Sequence, residues 1–462
     1  MWQKLPNLLN ILQSKASISQ MLQGRVHLAI VAISPLERAL GATGIIPFIT
    51  KVSKLDSKLL FNIYRGKYNY FDLLQQEIKY ICANQHHQDQ SFHLPQNFTD
   101  IKPGQLNLVI CVEGGHALEG GDTDLKTNLL TLKKSQPPVF YLTLVHLARC
   151  HLANHAYSIK LIGNHQFKPH GIGLSQPGKE IIDLAYDQKK GRRILIDIKH
   201  LSLVARMEFY RYRRQKQFTR IPLIASHVAV AGISWMNLLE SIEQDPQIKD
   251  ELIKVTYHKP LGIGNHQFQT CFNPSTINIY DEEIELILES EGMIGLIMDQ
   301  RILGFGKMEE DYFSREEFSY LIDYLSAPEM EDRIGRKSRK FVSVRFQNGA
   351  GAIMEKLTVG RKNLHLKYLV NNIFHILLQG GEKAWNHICL GSDYDGFINP
   401  INNCREINHY PRLYQDLVTI MPPLYEMMQA TKGELPFHLD QLQEKVEKIM
   451  YGNIMNFLQK HF

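Results

Sequence analysis

The chain has 462 residues, of which 44% are hydrophobic and 21% are charged, and its formal net charge at pH 7 is +5. These values are typical of a globular protein and exclude an intrinsically disordered chain as the default. The length fits one α/β barrel with insertions, or two domains.

Three features of the sequence indicate where the protein is located in the cell and whether it binds a membrane or nucleic acid. They are the cysteines, the apolar runs and the basic residues. Six cysteines are scattered without Cys-x-x-Cys spacing, which argues against a disulfide scaffold and a structural zinc module. No run reaches the roughly 18 apolar residues of a membrane span, and the N-terminus lacks the apolar core of a signal peptide. The densest basic run, residues 206–220, is expected to be a solvated helix face rather than a nucleic-acid patch. We therefore expect a cytoplasmic protein without a membrane span or a nucleic-acid partner.

Short continuous apolar runs recur along the chain and predict parallel strands that are buried on both faces. They alternate with amphipathic helical patterns over residues 175–190, 280–291 and 365–379, which indicates a parallel α/β fold. Seven candidates with this spacing favour a barrel over an open sheet. The candidate strands are residues 26–33, 106–113, 138–146, 193–200, 221–227, 293–299 and 387–393.

The predicted domain organisation is a short helical segment followed by one barrel. Residues 1–24 are assigned to the N-terminal helical segment and residues 25–462 to the barrel. Residues 228–276 are too long for a simple connection, so we expect an insertion there, with an extra helix over "SWMNLLESI" and an irregular lobe. The barrel is expected to end in a C-terminal helix.

Most of the predicted strands end in a residue that binds metal ions or carries a proton. These residues are Glu113, His146, His200, His227 and Asp393. A lone histidine at a strand end is more often structural, but three histidines and two carboxylates at strand ends favour a metal site. The carboxyl ends of barrel strands converge on one mouth, where active sites are built. Imidazoles with a carboxylate suit zinc, a glutamate can bridge two ions, and an aspartate can transfer a proton.

Seven motifs follow one another along the chain: "VEGGHAL" (112–118), "YLTLVH" (141–146), "GLSQPGKEII" (173–182), "IDIKHLS" (196–202), "IASH" (224–227), "GSDYDG" (391–396) and "YGNIMNFL" (451–458). In type and order they resemble the membrane (renal) dipeptidase family of zinc metallopeptidases, within the amidohydrolase superfamily. The resemblance extends from about residue 25 to the C-terminus. It implies a TIM-type (β/α)8 metallo-dependent hydrolase barrel. It also implies that a zinc-activated water cleaves a dipeptide or a related small amide.

The resemblance also implies a role for each strand-end residue. Glu113 resembles the carboxylate that bridges two zinc ions, and His200 and His227 resemble the imidazole ligands of the second ion. His146 resembles the histidine that contacts the substrate and would stabilise the oxyanion. Asp393 resembles the aspartate that transfers the proton.

The residues that bind the substrate match the family less completely. Asp395 is expected to point toward the same mouth as Asp393 and to contact the substrate. The family binds the substrate carboxylate with an arginine, and the corresponding residue here is Ile277. Arg301 is an alternative cation for that carboxylate.

The motif that carries the ligands of the family's first zinc ion is absent. In the family, a strand with His-x-Asp precedes the strand that matches residues 26–33, and Ala29 stands where His27 would need an aspartate. Two other matches, His87-Gln-Asp89 and His438-Leu-Asp440, fall in a predicted loop and at the start of a predicted helix. The sequence thus predicts a barrel that lacks its first strand, with zinc as cofactor and without these ligands for the first of two ions.

Three functional hypotheses follow from this departure. The main one is an active zinc-dependent dipeptidase that acts on a small peptide or amide. The second is an impaired or non-enzymatic homologue that retains part of the binuclear site. The third is a gene whose start lies upstream of Met1, so that the first strand is encoded before it. Because a missing strand leaves two open sheet edges, we also expect a homo-oligomer if no other segment covers them.

Overall fold

A parallel sheet forms the centre of the chain. The computed structural model describes residues 14–41, 62–63, 65–67, 69–87, 90–120, 123–159, 165–249, 251–264, 269–306, 310–326, 346–347 and 363–462. In this part of the chain the main sheet has seven strands, and each pairs in parallel with the next along the sequence. The strands are β1 (Leu28–Ile33), β2 (Asn107–Glu113), β3 (Val139–Thr143), β4 (Leu195–Asp197), β5 (Ile224–Val228), β6 (Met293–Leu296) and β7 (Ile388–Leu390). An eight-stranded barrel minus one strand has this order, so the predicted fold class is confirmed.

Six of the seven predicted apolar runs contain one of these strands, and the run 221–227 stops one residue before the end of β5. All of β3 and most of β2 are buried, as expected of strands that are covered on both faces. β1 is an exception, because most of its residues stay partly exposed at the end of the described sheet. The predictions extend too far at the carboxyl ends: His146 follows β3, and Asp393 follows β7, in irregular segments. These segments form the mouth of the barrel.

Helices lie between and after the strands. The helices predicted over residues 175–190, 280–291 and 365–379 are present with slightly shifted bounds. Ser175 caps the first of them by accepting a hydrogen bond from the Gly178 amide. The helices are α1 (Ile18–Gln23), α2 (Arg38–Gly41), α3 (Tyr70–Ala83), α4 (Leu125–Leu132), α5 (Gln176–Tyr186), α6 (Leu203–Gln215), α7 (Asp281–Glu289), α8 (Arg315–Ser326), α9 (Leu364–Gly380), α10 (Tyr410–Lys432), α11 (Leu442–Glu447) and α12 (Asn453–His461).

The helix predicted over "SWMNLLESI" is wrong. Two 3₁₀ turns, Trp235–Asn237 and Leu239–Ser241, stand in its place. The buried carboxylate of Glu282 accepts a hydrogen bond from the Trp235 amide and another from the Ser234 hydroxyl, which fixes the chain in a turn at its start. The assignment of residues 228–276 to an insertion, and the other domain bounds, stay predictions. Of the predicted N-terminal segment, residues 1–13 lie outside the described part of the chain.

The basic run on α6 is less solvated than predicted. The Arg206 side chain is buried, and its Nε lies 2.7 Å from Oε1 of Glu283. Arg213 is also buried and donates to the Tyr186 hydroxyl. The expectation of a solvated face is therefore wrong for these two arginines, which support the core.

Two further expectations from the sequence concern cysteines and membrane helices. All six cysteines are free thiols, as their scattered spacing predicted. Within the described residues, none of the helices combines the length and the apolar character that crossing a lipid bilayer requires.

Candidate metal centre

Three of the predicted metal ligands meet at the carboxyl end of the sheet. The Nε2 atoms of His200 and His227 lie 3.1 and 3.3 Å from Oε1 of Glu113, and 3.2 Å from each other. Ligand atoms around a tetrahedral ion with bonds of about 2.0–2.1 Å are themselves separated by about 3.3 Å. The three donor atoms therefore have the spacing that one zinc-type ion requires.

The hydrogen bonds around His227 leave its Nε2 free to bind a metal ion. The Ser226 hydroxyl donates to Oδ2 of Asp197 at 2.6 Å, so its oxygen is left to accept from Nδ1 of His227 at 2.8 Å. With the proton on Nδ1, the lone pair of Nε2 faces Glu113. Burial lowers the pKa of His227 and of His200 well below the usual value, so both rings are neutral, which is the form that ligates metal.

His146 stands at the edge of this triangle. Its Nε2 lies 3.8 Å from Oε1 of Glu113, and one ligand atom each of Glu113, His146 and His200 fall within 4.8 Å of one another. Burial alone would lower the pKa of His146, but the carboxylates of Glu113 and Glu37 outweigh it and raise this pKa to about 9. His146 is therefore a cation in the metal-free chain at neutral pH.

Glu37, which follows β1, belongs to the site but was not among the predicted site residues. Its Oε1 lies 3.4 Å from Nδ1 of His146 and accepts hydrogen bonds from the amides of Leu147 and Ala148. Burial would raise the pKa of Glu37, but His146, His116 and the Ala148 amide lower it to about 2. Its position gave a weaker signal than that of Glu113, because Glu37 lies beyond the end of its predicted strand, residues 26–33, whereas Glu113 is the last residue of its own.

Asp393 and His200 both have unusual backbone conformations. Their φ values are 56° and 66°, in the left-handed region that residues with a side chain seldom adopt. Such strain persists where surrounding contacts impose it, and it is concentrated at functional sites. Burial, together with the charge of Glu113, raises the pKa of the Asp393 carboxyl to about 7, against the opposing effect of Lys199. Asp393 can thus take up or release a proton near neutral pH.

Asp395 lies on the same cavity but has partners outside the cluster. Its carboxylate accepts hydrogen bonds from the Ser14 hydroxyl at 2.9 Å and from the Lys15 amide at 2.5 Å. The Arg301 guanidinium is held by the Asp299 carboxylate, with Nη2 and Oδ2 2.6 Å apart. Asp395 and Arg301, which the sequence assigned to substrate binding, therefore both have partners within the chain.

The His-x-Asp matches of the sequence do not reach the cluster. His27 is exposed at the opposite end of β1, where its carbonyl oxygen accepts a hydrogen bond from the Asn107 amide. The Asp440 carboxylate pairs with Lys445 in the C-terminal region. Asp89 lies outside the described residues. Neither His27 nor Asp440 therefore lies in the cluster of candidate ligands around Glu113.

A cavity of about 690 Å³ connects the cluster with the opposite end of the sheet. One end is lined by the three candidate metal ligands, by His146 and by residues 393–395. The other end is lined by Met21 and Phe457. Ile277 also lines it, at the position where the resemblance implies an arginine. The size lies within the range of small-molecule sites, and apolar side chains form much of the wall.

Comparison with known proteins identifies one matching family model. The model described as membrane dipeptidase, peptidase family M19, matches residues 256–420, just over a third of the chain. This match contains Asp393 but none of the three candidate metal ligands. No curated protein matches the sequence.

Three solved structures are similar over most of the chain. A metallopeptidase from Rhodobacter sphaeroides, liganded with a phosphinate mimic of the dipeptide L-Ala-D-Ala, is 14% identical with a TM-score of 0.46, and 97% of this chain and 91% of that chain are covered. A probable dipeptidase from Pseudomonas aeruginosa is 14% identical with a TM-score of 0.49, at 97% and 90% coverage. A dipeptidase described as a metallopeptidase of family M19 is 14% identical with a TM-score of 0.46, at 100% and 95% coverage.

Proposed function

The resemblance to membrane dipeptidase is confirmed by the family match over residues 256–420, and on that basis we propose that this chain is a metal-dependent hydrolase of small peptides or amides. The observation that carries the proposal is the triangle of donor atoms on Glu113, His200 and His227. Two neutral imidazoles and one carboxylate at these spacings fit a catalytic zinc ion, which keeps a further position open.

We assign the metal to these three residues, with His146 beside them. When bound, the ion supplies Lewis acidity that polarises a scissile carbonyl and lowers the pKa of a water molecule. The shorter distances from Glu113 to His200 and His227 than to His146 favour the first two histidines as ligands. His146, a cation fixed by Glu37, is then placed to donate a hydrogen bond to the oxyanion of a tetrahedral intermediate.

Asp393 is the proposed proton-transfer residue. Its pKa of about 7 allows the carboxylate to accept a proton from the attacking water and the carboxylic acid to donate it to the leaving amine. It lines the same cavity as Glu113 and His146.

The cavity favours a substrate with apolar side chains. Ile277 offers no charge to a substrate carboxylate, and Arg301 is engaged by Asp299. We therefore propose a dipeptide or N-acyl amide whose apolar groups lie along the cavity wall. The predicted contact of Asp395 with the substrate stays a prediction, because its carboxylate already accepts two hydrogen bonds.

Hydrolysis by the zinc-loaded chain tests this proposal. A panel of dipeptides and N-acyl amides should contain substrates that the wild type cleaves, and Asp393→Asn should lower kcat about 10²- to 10⁴-fold, the usual contribution of general acid–base catalysis. Asp323→Asn, the same substitution at an exposed position on α8, is the matched control and should leave kcat unchanged. Absence of hydrolysis across the panel, or equal rates for wild type and Asp393→Asn, would contradict the proposal.

A further inference from the structure

The cavity is polar at the metal centre and mainly apolar toward the opposite end of the sheet. Of the described residues that line it, most of those with a charge or an imidazole follow or close a strand at the carboxyl end. Glu77, at an exposed position of α3, is the exception. The rest of the wall is mainly aliphatic or aromatic and comes from β1, β3, β5, β6, β7, α1 and α12. This distribution fits a ligand with one polar end and one long apolar end.

Strand β6 shows how deep the apolar part is. The Ile297 amide, just beyond β6, donates a hydrogen bond to the Val228 carbonyl oxygen, so Ile297 is level with His227 of the metal centre. Met293, at the start of β6, is four residues deeper, and both Met293 and Gly295 line the cavity. Four residues of a strand span about 13 Å, which is the length of an extended hydrocarbon chain of about ten carbons.

Buried side chains close the deep end of the cavity. Phe457 of α12 and Phe140 of β3 both line it, and their ring centroids are 6.0 Å apart. Only 4% and 2% of their surfaces are exposed, and Met21 of α1, at the same end, is buried too. In complete barrels of this type, layers of side chains fill the interior. An apolar cavity that is withdrawn from water favours apolar ligands, because water inside it would lack hydrogen-bond partners.

The position of Asp393 decides which side of an amide enters the cavity. The Met298 amide donates a hydrogen bond to the Ser392 carbonyl oxygen, so Asp393 lies nearer the mouth than Ile297 does. Because Asp393 is proposed to give its proton to the leaving amine, the amine faces the mouth. The acyl group of the same amide then points from the metal centre toward Phe457.

We propose that the substrate is an N-acyl amide whose unbranched acyl chain, of about ten carbons, extends from the metal centre toward Phe457. This inference rests on the proposed function, because it takes the metal centre as the place where the amide is cleaved. Hydrolysis adds one water molecule: the C–N bond breaks, a C–O bond forms and a proton passes to the nitrogen. The products are a fatty carboxylate, which keeps the apolar chain, and a free amine.

Hydrolysis of N-acylglycines by the zinc-loaded chain tests the inference. Each CH₂ group that leaves water contributes about 0.8 kcal/mol, which is about fourfold in kcat/KM. From acetyl to decanoyl, kcat/KM of the wild type should therefore rise up to about fourfold with each added carbon. Hydrolysis with a kcat/KM that stays constant or falls with chain length would overturn this substrate class and leave the proposed function intact. No hydrolysis of any N-acylglycine or dipeptide would instead overturn the proposed function.

Ile454→Trp tests where the acyl chain lies. Ile454 is on α12 and lines the cavity, so the larger side chain should lower kcat/KM for N-decanoylglycine at least tenfold and leave that for N-acetylglycine unchanged. Met455→Trp is the matched control, because the next residue of α12 does not line the cavity, and it should keep the wild-type preference. An equal loss for both substrates in Ile454→Trp would overturn the position of the chain.

A binding measurement on the wild type serves if Ile454→Trp does not fold. Straight-chain alcohols from butanol to decanol carry no bond that the chain could hydrolyse, and titration calorimetry with the metal-free chain measures their affinity. The affinity should rise up to about fourfold with each added carbon. An affinity that does not depend on chain length would overturn the acyl site.

Discussion

Glu37 orients His146 through the ring nitrogen that does not face Glu113. The Oε1 atom of Glu37 lies 3.4 Å from Nδ1 of His146, and two backbone amides hold the same oxygen in place. The imidazolium is thus fixed between two carboxylates, of Glu37 and Glu113. The ion pair between Glu37 and His146 therefore stabilises the protonated form of the His146 ring.

Glu37→Gln should lower the pKa of His146 in the metal-free chain from about 9 toward its ordinary value, because one of the two flanking negative charges is lost. NMR titration of the histidine resonances measures this directly. Since the folded pKa lies above the unfolded value of about 6.5, His146 stabilises the wild type below that pH, and this stability is lost as pH rises toward 9. Glu77→Gln, at a carboxyl that lines another part of the cavity, is the control. An unchanged His146 titration in Glu37→Gln would refute this account.

The strand ends made Glu113, His200 and His227 predictable as neighbours. Each follows or closes an apolar run, and parallel strands bring such positions to one edge. The partnership of Glu37 with His146 was not predictable, because it joins side chains 109 residues apart and depends on where the chain turns after β1.

Helix α7 begins with three buried acidic residues, and each has a different partner. The Asp281 carboxylate lies 2.6 Å from Nε2 of His375, and Glu283 pairs with Arg206. Glu282 accepts hydrogen bonds from the Ser234 hydroxyl and the Trp235 amide. Burial and the charge of Asp281 therefore raise the pKa of Glu282 to about 8, in spite of its place at a helix N-terminus.

Glu282→Gln should make the free energy of unfolding less dependent on pH. In the wild type the folded pKa of about 8 lies above the unfolded value of about 4.5, so the unfolded chain ionises first and stability falls between these pH values. Each pKa unit corresponds to about 1.4 kcal/mol, so the fall should amount to a few kcal/mol. Urea unfolding from pH 5 to 8 should give a flatter profile for the variant. Glu289→Gln, on the exposed side of α7, should keep the wild-type profile, and an equally steep fall in Glu282→Gln would contradict the assignment.

Strands and helices were predicted well where the pattern of apolar residues is continuous. They were predicted poorly where a side chain remote in sequence forms hydrogen bonds with the segment. β2 and β3 lie within their predicted ranges because their residues are buried on both faces. The turns from Trp235 to Ser241 differ from the predicted helix because Glu282, remote in sequence, binds the start of this segment. A helical pattern contains no information about such a partner.

The described part of the chain forms an incomplete barrel with a cavity inside it. A complete barrel of this type has its centre filled by layers of side chains. Here β1 and β7 stand at the two ends of the described sheet, and a cavity of about 690 Å³ extends from the metal centre toward α12. The alternation of strands and helices was sufficient to predict a barrel, whereas the missing strand was inferred from the family resemblance, because the His-x-Asp motif is absent. The cavity was not predictable, because its wall is formed by residues from many separate segments.

The central claim is that Glu113, His200 and His227 bind one metal ion, and anomalous diffraction from zinc-soaked crystals tests it most directly. Data collected above and below the zinc absorption edge should show one strong peak, about 2.0–2.2 Å from Oε1 of Glu113 and from the Nε2 atoms of both histidines. A map without a peak at this position, or with zinc bound only elsewhere on the chain, would contradict the account.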